Sequence, residues 1–391
     1  MKKKVAPRTA TPSAEAVPLP SQRALSRGIQ GFILFAIVGI LVGFWWKRPE
    51  SLVRLAIHFR WDFAALLLPL LAADYILGGL RYRLFFDGAM MPRVSLWNCM
   101  RSNWANIFGG AATPFQTGGG PAHLYILWRC GARVSDGILA SVVNFGATLI
   151  FLLVSAIAAA LLLPHNLLGT NSIPLLGTAS VVVACIVGLV LLTLLFPNAG
   201  LAILRPLLRG FAWKSRREPP LRERFLRLLE SETQRFQDGF RWILRRRPWL
   251  LGVVLLTTLL LFSNKYVMAY VVARTLGQNV PLGLFIGVQI IQLFLIYSAP
   301  TPGASGVAEL SSVWLLGTMM PTEVLLVYVV LWRFTTTVLG AMIGGAVLLQ
   351  ELRRGEAAGL GAARPEEAPV PIRDRPEPRN QQGHLLDAQD V

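Results

Sequence analysis

Thr113-Pro114-Phe115-Gln116-Thr117-Gly118-Gly119-Gly120-Pro121 in the first half of the chain and Thr301-Pro302-Gly303-Ala304-Ser305-Gly306 in the second share one spacing, Thr-Pro-x-x-x-Gly. Proline removes a backbone donor and glycine admits unusual backbone angles, so each stretch breaks a helix. Each is set against long apolar segments. In hydrocarbon, broken backbone is tolerated only where protein or a water-filled cavity satisfies its polar groups. Matching interruptions in the two halves of a membrane protein point to a transport site, which makes a carrier the leading expectation.

Composition supports a membrane class. Of 391 residues 54% are hydrophobic, and mean hydropathy is +0.53. Apolar runs of about 18 residues or more can cross a bilayer. Clear candidates are Ile29–Trp46, Asp62–Leu80, Gly137–Leu163, Ile173–Phe196, Trp249–Ala273, Pro281–Ala299 and Glu323–Leu349. Two weaker apolar regions, Leu96–Leu127 and Val307–Met320, carry or adjoin the broken phrases. The expected fold class is all-α: a polytopic helical membrane protein with about seven or eight spans, re-entrant broken helices and an inverted repeat.

Charge sets organisation and orientation. Lys and Arg number 38 against 21 Asp and Glu, a formal net charge of +17. A nucleic-acid footprint is not expected, because the excess sits between spans, where the positive-inside rule puts it. Arg205, Arg209, Lys214, Arg216, Arg217 and Arg245–Arg247 all fall between Pro197 and Pro248, whereas Pro164–Ser172 and Thr275–Val280 hold no Lys or Arg. The expected plan is a disordered basic tail (1–27), a first membrane half (28–196), a basic cytoplasmic connection (197–248), a second membrane half (249–351) and a disordered tail (352–391). The first apolar run starts late and lacks a small-residue cleavage site, so it reads as an anchor rather than a removed signal. Lys47, Arg48, Arg54 and Arg60 run against the rule, since this scheme places them outside.

Parity then constrains the broken phrases. Leu96–Leu127 must enter and return on the cytoplasmic side, whereas Thr301–Met320 must make a net crossing before the last span. The two phrases are approached from opposite sides, as an inverted repeat requires. Within the connection Leu221, Phe225, Leu228, Leu229, Phe236, Phe240 and Ile243 recur at helical spacing among arginines. That reads either as an amphipathic helix on anionic lipid headgroups or as a connector packed under the bundle. Cys99, Cys130 and Cys185 match neither a disulfide framework nor a zinc site, and no metal or cofactor is expected.

Ionisable groups inside spans are costly and are functional candidates by default. Asp74, Lys265, Glu309 and Arg333 stand out. Asp74 has Arg81 two helical turns along and reads first as a structural ion pair. Lys265 interrupts an apolar helix together with Ser263, Asn264 and Tyr266, and Arg333 is followed by three threonines. A guanidinium can bind phosphate through two parallel hydrogen bonds while keeping its charge when buried. Glu309 is open to three roles: proton coupling, pairing with Lys265 or Arg333, or a carboxylate at a helix start. Gly118–Gly120 before Pro121 offers free backbone N–H groups to an anion, or else a close helix crossing. Thr113, Gln116 and Thr117 are its polar partners; Thr301, Gly303, Ser305 and Gly306 hold the equivalent positions of the second phrase. His123 reads as packed or interfacial rather than as a relay.

The first phrase, followed by Leu124-Tyr125-Ile126-Leu127, resembles the first signature of the flippase-like family, also called the lysylphosphatidylglycerol synthase transmembrane region. Pro302-Gly303-Ala304-Ser305-Gly306-Val307-Ala308-Glu309 is similar to its second signature, and Trp332-Arg333-Phe334-Thr335-Thr336 to its final-span motif. The resemblance covers about residues 29–350. It implies a bundle with re-entrant helices that moves lipids or lipid-linked molecules between leaflets. The chain stops without a soluble aminoacyl-transferase domain, which implies that it does not make lysylphosphatidylglycerol itself. It also has no acidic residue in the first signature, where many relatives carry one.

Three functions are carried forward. The first is a flippase for a phosphate-bearing membrane phospholipid or lipid-linked substrate, without an ATP-binding motif and without enzymatic activity. The second is a membrane-embedded lipid-modifying transferase or an accessory protein of envelope lipid or glycan synthesis, although no DxD, HExxH or P-loop is present. The third is a small-solute carrier. The expected location is the cell (inner) membrane with both termini cytoplasmic. A cysteine placed in Pro164–Ser172 is therefore expected to react with an impermeant thiol reagent in intact cells, and Ser215→Cys to stay unlabelled. The reverse pattern would sink the parity argument.

Overall fold

In the computed structural model, residues 59–89, 91–113, 116–162, 188, 235–297, 299 and 301–357 are described. The chain divides into a unit spanning 21–352 and a terminal one, of which only 353–357 is described. The expected spans Ile29–Trp46 and Ile173–Phe196, the link Pro164–Ser172 and most of both tails lie outside the described residues.

Among the described residues every element is helical: α1 (Trp61–Arg83), α2 (Leu96–Ala112), α3 (Gly119–Arg129), α4 (Val134–Leu162), α5 (Trp249–Thr275), α6 (Leu282–Tyr297), a 3₁₀ turn (Pro302–Ala304), α7 (Val307–Leu316), α8 (Thr322–Arg333), a π turn (Phe334–Val338) and α9 (Leu339–Ala357). Among the described residues four helices are long and apolar enough to cross a membrane: Trp61–Arg83, Val134–Ala159, Trp249–Thr275 and Glu323–Arg354. The burial of α1 is inside out relative to a soluble helix. Along α1 the inward residues are Asp74, Tyr75, Gly78, Gly79 and Tyr82, while Leu66, Leu68 and Ile76 face outward. Lipid is as apolar as leucine, so small and polar residues mark the helix contacts instead.

The order long helix, two short helices, long helix occurs twice, as α1–α4 and α5–α9. The leading helices of the two halves are antiparallel. The Arg60 N–H donates to the Thr275 carbonyl at 2.8 Å, and farther along α1 the Leu70 carbonyl accepts from Asn264 at 2.9 Å. That opposition is the geometry of an inverted repeat.

Each broken phrase joins a pair of short helices. Moving back along α2 corresponds to moving forward along α3: Gly109 lies against Gly118, Asn106 against Gly119, and Ser102 bonds His123. A Cβ on Gly109 would sit 2.3 Å from the Gly118 carbonyl oxygen, so only glycine permits this crossing. In the second half Gln292, near the end of α6, donates to Ser312 and reaches the Ala308 carbonyl near the start of α7. Here the structure corrects an expectation. With 10 residues, α7 rises only about 15 Å, half the roughly 30 Å hydrocarbon core. Thr301–Met320 therefore makes no crossing of its own; α6, with 16 residues, rises about 24 Å and turns back into α7, so the two form a second hairpin in place of the full span expected at Pro281–Ala299. The interruption at Pro302–Ala304 is what divides them.

The connection ends in a helix over 235–246. Phe240 and Ile243 are buried there against Tyr82, Phe85, Phe86 and Leu250, with Phe236 partly buried beside them, and Arg247 pairs with Asp87. This part is a connector packed on the bundle. Leu221–Leu229 lies outside the described residues.

Candidate functional site

Where the two hairpins meet there is a cavity of about 220 Å³. Its wall draws on both halves: Asp74, Gly78 and Arg81 from α1, Asn103 and Asn106 from α2, Lys265 from α5, Gln289 from α6, and Gly303, Arg333 and Thr336 beyond. Of the residues expected from sequence, the cavity is lined by Gln116, Lys265, Gly303 and Arg333.

The second phrase is tied down by Arg333. Gly303 and Ala304 both take positive φ, 57° and 56°, a turn that glycine adopts freely and alanine does not. The Gly303 carbonyl accepts from Arg333 Nη2 at 2.6 Å. Arg333 Nη1 lies 3.2 Å from Glu309 Oε1, and the other Glu309 oxygen accepts from the Gly306 N–H at 2.6 Å. Glu309 thus joins two of the roles left open for it: it pairs with Arg333 and caps the start of α7. Thr301 closes the loop by donating to the Ser305 carbonyl at 2.8 Å. Directly after Arg333 the helix widens into the π turn, a distortion frequent at functional sites. The Thr335 and Thr336 hydroxyls donate back to carbonyls one turn earlier.

The first phrase is closed differently. Thr113 donates to the Gly109 carbonyl at 2.8 Å and accepts from the Gly118 N–H at 2.7 Å. The Gly118 donor is therefore already used. Gly118, Gly119 and Gly120 do not line the cavity; Gly118 and Gly119 press against α2. Of the two readings of this run, the structure displays the close crossing. Thr117 also stays off the cavity wall. His123 is buried behind it, bonded to Ser102 and packed against Tyr82 with ring centres 4.2 Å apart.

Asp74 requires a second correction. Its partner is Lys265, at 2.8 Å across the two halves, and not Arg81. Arg81 Nη2 instead donates to the Asn144 carbonyl at 2.6 Å and to the Thr148 hydroxyl at 2.8 Å. Arg81 is thereby a cavity residue that the local spacing misassigned. Other lining residues had a visible signal: Asp74, Gly78 and Arg81 on α1, like Asn103, Asn106 and Gly110 on α2, recur at helical spacing as polar or small stripes on apolar helices. Gln289, bonded to Gln292 and Tyr328 at 2.7 and 3.1 Å, carries the same signal, since Gln292 follows it three residues on along apolar α6.

The chain matches the family described as the lysylphosphatidylglycerol synthase TM region over residues 31–344, and it belongs to that family. It is also 25% identical over 320 residues to a UPF0104 membrane protein of Archaeoglobus fulgidus, covering 77% of this chain and 92% of that one. It is a helical membrane protein, and the family supports a role connected with membrane lipids.

The two ion pairs differ in how far the protein encloses them, and so in their cost when broken. Asp74 and Lys265 side chains are 3% and 18% exposed, whereas Glu309 is 47% exposed. Removing one partner of a buried pair costs about 3–5 kcal/mol, and the cost falls for a carboxylate that the protein leaves half uncovered. Lys265→Gln is expected to lower the thermal midpoint in detergent far more than Glu309→Gln. Asp74→Asn combined with Lys265→Gln should recover most of that loss, a coupling that a double-mutant cycle reads directly. Equal effects of the two single changes, or simple additivity in the double, would contradict the pairing.

Proposed function

We propose that the chain moves a phosphate-bearing lipid or lipid-linked molecule between leaflets and forms no covalent bond in it. The observation that carries this reading is the charged cavity at the junction of the two hairpins. Its lining combines Asp74, Arg81, Lys265 and Arg333 with amides and hydroxyls, a costly set to keep among apolar helices unless a polar group uses it. Its volume of about 220 Å³ is below the roughly 300–1,000 Å³ that enclose a whole drug-sized ligand. It suits a headgroup whose acyl chains remain outside.

An opposed pair of halves around one site is also the architecture in which rocking of one half against the other exposes the site alternately. The half-exposed Glu309 is the partner freed most cheaply in such a motion, and Arg333 links it to the second broken loop. In this reading the cell membrane is the location, both termini are cytoplasmic, and the basic connection faces anionic headgroups.

The test uses the full chain in vesicles carrying fluorescent phospholipid, with an impermeant quencher reporting each leaflet. Protein-dependent exchange of the label is expected, with no new lipid product when aminoacyl-tRNA or activated sugar donors are supplied. A stoichiometric lipid product would replace this reading with a transferase. Movement of soluble anions with no movement of lipid would replace it with a solute carrier.

A further inference from the structure

The cavity's charges do not balance. Lys265 is matched by Asp74, and Arg333 by Glu309. Arg81 lines the same cavity, yet among the described residues no carboxylate pairs with it. Among the described residues the guanidinium donates only from Nη2, to the Asn144 carbonyl and the Thr148 hydroxyl on α4. Nε is buried without a partner, and Nη1 makes no hydrogen bond among the described residues. The α4 contacts hold the guanidinium in place but supply no negative charge. One formal positive charge therefore stands uncompensated beside Lys265, in surroundings where an unpaired ion is expensive.

We propose that Arg81 receives the phosphate of the transported lipid, and that the site selects headgroups with one net negative charge, such as a phosphodiester without an amine. The proposal rests on the transport reading above and gives its substrate class. A phosphodiester oxygen meeting Arg81 forms a charge-assisted hydrogen bond and neutralises the one excess charge. A headgroup that adds an ammonium restores the excess within the same small cavity, next to Lys265 and Arg333. The two matched pairs then frame the headgroup and join the halves, and the charge that discriminates belongs to Arg81.

The readout is a ratio taken within one sample, so partial loss of folded protein cancels. Purified full-length protein is equilibrated with equal phosphatidylglycerol and phosphatidylcholine, and the retained lipids are counted by native mass spectrometry. The same two labelled lipids are followed across vesicle bilayers. Wild-type protein is expected to prefer phosphatidylglycerol by about tenfold or more, because both lipids offer the same phosphate to Arg81 and only the choline ammonium meets the excess positive charge. Arg81→Gln should bring the ratio close to one. Arg81→Lys, which keeps the charge but loses the planar fork, should lower it several-fold, and it is the variant to read if Arg81→Gln fails to fold.

A wild-type ratio near one, or an unchanged ratio in whichever Arg81 variants fold, overturns the proposal. If excess inorganic phosphate displaces the retained lipid, the site is one for soluble anions and the lipid form of the proposal is wrong. Retention of phosphatidylglycerol that depends on Arg81, without movement of either lipid, sustains the site and removes the transport reading.

Discussion

The hydrogen bond from Arg333 to the Gly303 carbonyl satisfies backbone that a broken helix leaves open. Hydrocarbon supplies no partner for such a carbonyl, so a Pro-Gly interruption at depth must bring its own donor. Much of the arrangement follows from that need. Arg333 has to lie beside the loop, its charge calls for Glu309, and Glu309 sits at the start of α7 because its second oxygen takes the Gly306 N–H. The first loop solves the same problem without charge, through the Thr113 hydroxyl acting as both donor and acceptor. Two sequence phrases of one spacing are thus closed by two different devices, one neutral and one ionic.

The halves are joined through a second ionic contact, Lys265 with Asp74, between antiparallel α5 and α1. A buried ion pair is weak evidence for stability, because desolvation offsets most of its attraction. Its value lies in register: Lys265 can be neutralised by Asp74 only when the two long helices slide to one position. Asn264 to the Leu70 carbonyl fixes the same register one residue away on α5. The cavity opens where these constraints meet, at the junction of the two hairpins.

The broken phrases and long apolar runs were legible because proline, glycine and charge are conspicuous in an apolar sequence. The four ionisable residues were visible for the same reason. Of their pairing only part was: Arg333 stood among the open partners of Glu309, but Lys265 was not assigned to Asp74. Asp74 has a basic residue two turns away, and a local rule assigned it there, whereas tertiary packing brings Lys265 to it from the other half. The crossing assigned to Thr301–Met320 failed because parity counted Pro281–Ala299 as a full span: Pro302 and Gly303 instead turn α6 back into an α7 too short to span. The glycines of the first phrase were ambiguous, since the same residues serve anion binding and close packing. Only the position of Gly109 opposite them separates the two. Asn103, Asn106 and Arg81 were readable as stripes at helical spacing, a pattern diluted by the apolar residues around it.

The central claim is that a lipid headgroup enters the cavity between the hairpins. A photoreactive amino acid at Ile107, which lines the cavity, tests it in native membranes. Leu68, 71% exposed on the outer face of α1, serves as the control that contacts bulk lipid. The account expects phospholipid adducts at both positions after illumination, with attachment through the headgroup at Ile107 and through acyl chains at Leu68. Adducts at Leu68 with none at Ile107 would contradict it.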